Sequence, residues 1–157
     1  MLRLWVKYAM IVRTGLLVLR VRVLLMTKDL LEVVETLSPG TVGERRDDST
    51  MNDHIYYVDR WLRLFPYNKK GNCFPRALAG YWFARRSGYP VRFHCGVRKE
   101  GSRLDGHAWL TLDGEPFHET SRQWREYVVT FSYPSDAPVA NGQRQTAHGR
   151  EARIMPS

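Results

Sequence analysis

The chain has 157 residues, 43% hydrophobic and 25% charged, with 24 Lys and Arg against 16 Asp and Glu for a formal charge of +8. This length suits one domain with a real core, and the composition is that of a globular protein and excludes a wholly disordered chain. Two cysteines, Cys73 and Cys95, form no CxxC pair, which excludes a disulfide framework and a standard zinc finger and fits a reducing cytoplasm. The positive charge suits nucleic acid, an anionic membrane or an acidic peptide, but the basic residues are scattered rather than interleaved with stacking aromatics, so no nucleic-acid partner is expected.

Residues 2–26 are apolar but interrupted by Arg3, Lys7, Arg13, Arg20 and Arg22. No uninterrupted run approaches the roughly 18 to 20 residues of a membrane-spanning helix, and the continuing basic residues argue against a secretory signal. An amphipathic helix remains, packing against protein in the first reading and making peripheral membrane contact through residues 1–26 in the second. Leu30, Leu31, Val33, Val34 and Leu37 predict a short helix, with Thr27 as N-cap and Asp29 in the first turn, ended by Ser38-Pro39-Gly40. Thr41 to Asn52 reads as a polar linker. Ile55, Val58, Trp61, Leu62 and Phe65 predict a buried stripe on a helix from about Asp53 to Leu64, followed by Pro66 and a loop to Asn72.

A fourth helix is expected to open at Cys73, capped by Asn72 and with Pro75 in its first turn, where a missing N–H costs nothing. Its core face is Leu78, Tyr81 and Trp82; Arg76, Arg85 and Arg86 read as a solvated face, and Gly88 and Pro90 as the stop. Val91 to Arg98 alternates as a strand does, with Val91, Phe93, Cys95 and Val97 facing inward and Arg92, His94 and Arg98 outward. Lys99 to Asp105 reads as a polar loop, and 106–112 as a second strand. Asp113-Gly114 is a hairpin turn, Glu115 to Glu119 the return strand, and Tyr127 to Tyr133 a further strand. Residues 134–157 hold few large apolar side chains and read as a disordered tail. The expected organisation is a helical segment and linker over 1–52, a core over 53–133 and the tail over 134–157. Helices feeding a small antiparallel sheet define an α+β fold.

Thiol chemistry is the best-supported activity. At a helix start, unpaired N–H groups and the positive end of the dipole favour a thiolate. A cysteine hydrolase also needs an imidazole to accept and return the proton and a third group to hold the ring. His107, at the start of a strand, supplies the imidazole. Asp113 and Glu119 compete for the third role. Asp113 lies at the far end of the strand, about 20 Å of extended chain away. Pairing Leu112 with Glu115 across the turn returns Glu119 to the level of His107 or Ala108, so geometry favours Glu119. Cys95 and Trp109 read as packing residues. His94 and Cys95, adjacent on a strand, point to opposite faces and cannot share one metal undistorted, so neither metal nor cofactor is expected.

The stretches 72–79, 85–98 and 107–114, containing Asn-Cys-Phe-Pro-Arg-Ala-Leu-Ala, Gly-Tyr-Pro-Val and His-Ala-Trp, resemble the transglutaminase-like cysteine peptidases of lasso-peptide biosynthesis. More narrowly, they resemble the microcin J25-processing C-terminal domain. The resemblance is clearest over residues 61–119. It implies a transglutaminase- or papain-like core with Cys73, His107 and an acid about a dozen residues later, where the family usually has Asp and this chain has Glu119. It also implies a bacterial cytoplasmic leader peptidase acting on a ribosomally made precursor, alongside an ATP-dependent macrolactam cyclase. The helical character of the first 50 residues points to a separate leader-recognition protein. Acyl transfer to an amine by the same triad, and a non-catalytic scaffold that holds the precursor, are the alternatives.

Overall fold

The computed structural model describes residues 2–39, 46–65, 71–119 and 123–134. Four helices, α1 (Leu2–Thr27), α2 (Leu30–Leu37), α3 (Asp48–Leu64) and α4 (Cys73–Arg86), precede strands β1 (Arg92–Glu100), β2 (Arg103–Leu112), β3 (Glu115–Pro116) and β4 (Val128–Tyr133). A short 3-10 turn, Trp124–Glu126, leads into β4. The strands form one antiparallel sheet in the order β3-β2-β1-β4. This is the expected α+β architecture.

Local chemistry explains most of the boundaries. Asp29, rather than Thr27, caps α2, accepting the Glu32 N–H at 2.9 Å. Thr27 instead ends α1 and donates its hydroxyl to the Val23 carbonyl at 3.0 Å. Helix α3 begins at Asp48, inside the stretch read as linker, because Asp47 accepts the Ser49 and Thr50 N–H groups at 3.1 and 3.2 Å. A polar first turn hides such a start from an apolar-periodicity argument. Met51 and His54 consequently join Ile55, Val58 and Leu62 on the buried face, with Trp61 and Phe65 packed at its margin.

Helix α4 is the centre of the packing. Ala77 to Gly80, Tyr81, Phe83 and Ala84 are all buried, so its covered surface is far wider than one amphipathic face. Tyr81 reaches Ser38 at the end of α2, with the two hydroxyl oxygens 3.1 Å apart. The helix ends as its Gly88 predicts: Gly88 has φ of 82°, and Tyr89 N–H returns to the Ala84 carbonyl at 2.9 Å. From α1, Thr14, Leu17, Val18 and Val21 are buried against this body.

The sheet departs from expectation in four places. Lys99 to Asp105 is not a loop: β1 and β2 continue to Glu100 and Arg103, and only Gly101-Ser102 turns. Cross-strand pairing keeps these charged residues in strands, with Arg98 3.4 Å from Asp105. Val97 lies on the exposed side rather than in the core, beyond a register irregularity between Cys95 and Gly96 where β1 meets β4. His94 does not face solvent. Its Nδ1 lies 2.7 Å from Ser132 Oγ and its Nε2 2.9 Å from Thr111 Oγ1, while its ring stacks on Trp109. Finally, β3 pairs only through Leu112–Glu115 and Thr111–Pro116, and the chain leaves strand geometry at His118, which has φ of 51°.

Parts of the polar linker, the loop after Pro66 and the tail from residue 135 onward lie outside the described residues.

Candidate active site

Cys73 is the first residue of α4 and is partly exposed, with Sγ 4.0 Å from the Gly106 carbonyl oxygen. Asn72 does not cap the helix with its side chain. Its amide instead donates to the Leu62 carbonyl at 3.4 Å and accepts from Arg22 at 3.5 Å. The cap position is therefore occupied by backbone alone. The first-turn N–H groups beside the sulfur have no side-chain acceptor from Asn72, which suits a site that must receive a developing anion.

His107 lies between Cys73 and Glu119. Its Nε2 is 3.3 Å from Glu119 Oε2, and because a carboxylate only accepts, that nitrogen carries the proton. The same imidazole also hydrogen-bonds the Cys73 side chain. These two hydrogen bonds, the one to Cys73 contributing more, hold the His107 pKa up at about 9 against the opposing effect of burial. The other described histidines move the opposite way. Burial holds both His54 and His94 down at about 4, and it also lowers His118. Among the described histidines, His107 alone has its charged form favoured.

Glu119 is 4% exposed in its side chain and His107 17%, so their contact is shielded from water. The route by which Glu119 arrives differs from a continued return strand. Phe117 N–H bonds the Leu110 carbonyl at 2.9 Å, extending the hairpin by one residue, and the left-handed turn at His118 then brings the next side chain across to His107. Asp113 stays exposed in the tight turn with φ of 53° and is not brought to the imidazole.

The sequence reading missed the residue that secures this turn. Arg76, taken there as part of a solvated helix face, is largely buried and makes a forked contact with Asp59 on α3, Nε–Oδ1 2.8 Å and Nη2–Oδ2 3.4 Å. Its remaining nitrogen donates to the His118 carbonyl at 2.9 Å. One guanidinium thus ties α3, α4 and the backbone immediately before Glu119. The motif Cys-x-x-Arg carried the signal, since three residues after Cys73 is the same helix face one turn on. Its partner was not legible. Arg86, by contrast, is exposed and lies 4.8 Å from the Trp82 ring centroid.

An aromatic wall lies on the other side of the imidazole. Trp109 stacks on His107 at 5.8 Å with an interplanar angle of 12°, and Tyr127 lies 5.2 Å away. Tyr127 donates to Asp105 at 2.5 Å, and Arg98 joins Asp105, Gln123 and Glu126 around it. Burial, reinforced by that hydrogen bond, pushes the Tyr127 phenol up to about 12, so it stays a neutral donor. Cys95 is buried on β1 near Thr130 Oγ1 at 3.8 Å, and burial raises its pKa, which makes it a poor nucleophile. Among the described residues, no three His, Cys, Asp or Glu side chains gather as metal ligands.

A thiol at the start of a central helix, facing an imidazole on an antiparallel sheet, defines a domain of the cysteine peptidase or acyltransferase type. A family model described as the transglutaminase-like superfamily matches residues 15–132, and the chain belongs to that superfamily. The matched span begins within α1 and ends within β4, so it includes the helices packed around α4 as well as the sheet. No curated protein and no solved structure matches the chain.

Proposed function

We propose that the protein is a cysteine peptidase that removes the leader from a ribosomally synthesised precursor peptide in lasso-peptide maturation. The observation that carries the peptidase reading is the bridge made by His107 between Cys73 and Glu119. The substrate class rests on the resemblance of the Cys73, Gly88-Tyr89-Pro90 and His107-Ala108-Trp109 stretches to the leader peptidases.

Cys73 Sγ attacks the scissile carbonyl carbon, forming a C–S bond while the carbonyl oxygen takes up negative charge. The Cys73 backbone N–H, at the helix start, donates to that oxygen. The His107 imidazolium gives its proton to the amide nitrogen as the C–N bond breaks and the amine leaves. Neutral His107 then takes a proton from water as the water oxygen attacks the thioester, and collapse breaks the C–S bond to release a carboxylate. Glu119 accepts the Nε2–H throughout and compensates the imidazolium charge. A separate recognition protein delivers the leader, and an ATP-dependent cyclase acts on the freed core.

The test is to incubate the chain with the precursor encoded beside it and a candidate recognition protein, then weigh the products by mass spectrometry. Hydrolysis leaves a free carboxylate on the leader. Mass addition of an amine instead would make the enzyme an acyl transferase, and cleavage surviving Cys73→Ala would sink the thiol mechanism altogether.

A further inference from the structure

Helix α1 buries one face and leaves another uncovered. Thr14, Leu17, Val18 and Val21 pack into the core, whereas Trp5, Tyr8, Val12, Leu16, Leu19, Val23 and Met26 are exposed, from 49% at Leu19 to 85% at Met26. At about 100° per residue, these seven fall within an arc of about 80° that spans roughly 32 Å of the helix, and the exposed Leu4 and Val6 widen the apolar surface at its N-terminal end. Scattered apolar residues need no explanation, but a single continuous stripe does. Among the described residues nothing covers it, and no helix is long and apolar enough to cross a membrane.

Charge identifies what fits the stripe. The helix sequence contains Arg3, Lys7, Arg13, Arg20 and Arg22 and no Asp or Glu. Arg13 and Arg20 follow one edge of the stripe at helical spacing and Arg22 the other; Arg20 is exposed, whereas Arg13 lies 5.2 Å from the Trp82 ring centroid and Arg22 4.7 Å from that of Phe65, their stems covering apolar surface. A second copy of α1 would bring the same cations together with no acid to offset them. The tail beyond residue 134 is no better matched, since Arg144, Arg150 and Arg153 outnumber Asp136 and Glu151. An apolar stripe with cationic borders and Trp and Tyr near one end is the pattern of a helix lying in an anionic lipid surface.

We propose that α1 docks the protein on anionic bilayers, with this stripe inserted at the headgroup boundary and its inner face still packed on the catalytic body. The inference is independent of the peptidase assignment. The test uses the full chain and vesicles of phosphatidylcholine alone or mixed with phosphatidylglycerol, separated by sedimentation at low and high salt. Wild type should bind the mixed vesicles, bind phosphatidylcholine alone far less, and release as salt rises. The double variant Val12→Glu/Leu16→Glu should lower partitioning by at least about tenfold with unchanged far-ultraviolet circular dichroism. Arg20→Glu, which leaves the apolar surface intact, should selectively weaken binding to the mixed vesicles. Failure of wild type to bind mixed vesicles at low salt would overturn the proposal, as would equal binding by the double variant. A micromolar dimer abolished by Val12→Glu/Leu16→Glu, with vesicle binding unaffected, would assign the stripe to a second copy instead.

Discussion

Replacing Glu119 by Gln keeps a carbonyl oxygen that can accept from His107 Nε2 but removes the charge that favours the imidazolium. His107 has two supports for its raised pKa of about 9, the hydrogen bond with Cys73 and the Glu119 carboxylate, so loss of the second should move its titration down from about 9 toward the ordinary 6.5 without reaching it. The sign follows from linkage. A raised histidine pKa contributes stability that is complete below the unfolded value and disappears as pH rises through the folded value, so the imidazolium form persists to about pH 9 in wild type and to a lower pH in Glu119→Gln. Proton NMR titration of the imidazole carbon-bound hydrogens reads this without a substrate. In wild type, one histidine should titrate near pH 9, well separated from His54 and His94 near pH 4. Where turnover is measured, the alkaline limb of kcat should shift the same way and kcat should fall about tenfold to a hundredfold, because the ring keeps an acceptor but loses charge stabilisation. Asp113→Asn should leave both readouts unchanged. A His107 titration unmoved by Glu119→Gln, or moved by Asp113→Asn, would refute the assignment of Glu119 as the group holding the ring.

Arg76→Lys should lower kcat more than it changes KM, because an ammonium cannot serve both Asp59 oxygens and the His118 carbonyl; stability should drop by about 1–3 kcal/mol in urea melts, and an unchanged kcat would show that the turn at His118 holds itself. Gly96→Ala should destabilise by about 1–3 kcal/mol in the same assay, since its new Cβ would meet the Val128 carbonyl oxygen at 2.5 Å and force β4 away from β1. His54 and His94 are held neutral down to about pH 4, so the stability they provide is present above about 6.5 and is lost as pH falls toward 4; the urea midpoint should decline across that window, and a flat midpoint would contradict the burial argument.

Helix starts, stops and tight turns were legible in the chain because a few neighbouring residues decide them. Gly88 before Pro90 and Asp113-Gly114 carry their own backbone requirements and appear where those requirements place them, and α4 opens at Cys73 as expected although Asn72 does not cap it with its side chain. The Leu112–Glu115 pairing follows directly from the turn, which is why Glu119 could be preferred over Asp113 from sequence alone. The start of α3 was also local, at the Asp47 cap, but a search for apolar periodicity passes over a polar first turn.

The remaining features depend on what lies opposite a residue, and a sequence does not order its segments in space. Arg76 has the same local setting as a solvated helix arginine until α3 brings Asp59 to one side and the hairpin brings the His118 carbonyl to the other. His94 alternates outward on β1, yet Ser132 and Thr111 enclose it because strands on both sides supply hydroxyls at its level. Cys73, His107 and Glu119 could be singled out from residue type and spacing alone. That a turn at His118, held by Arg76, brings Glu119 to His107 emerges only from packing: short-range preferences set where the chain bends, while long-range contacts set what each bend meets.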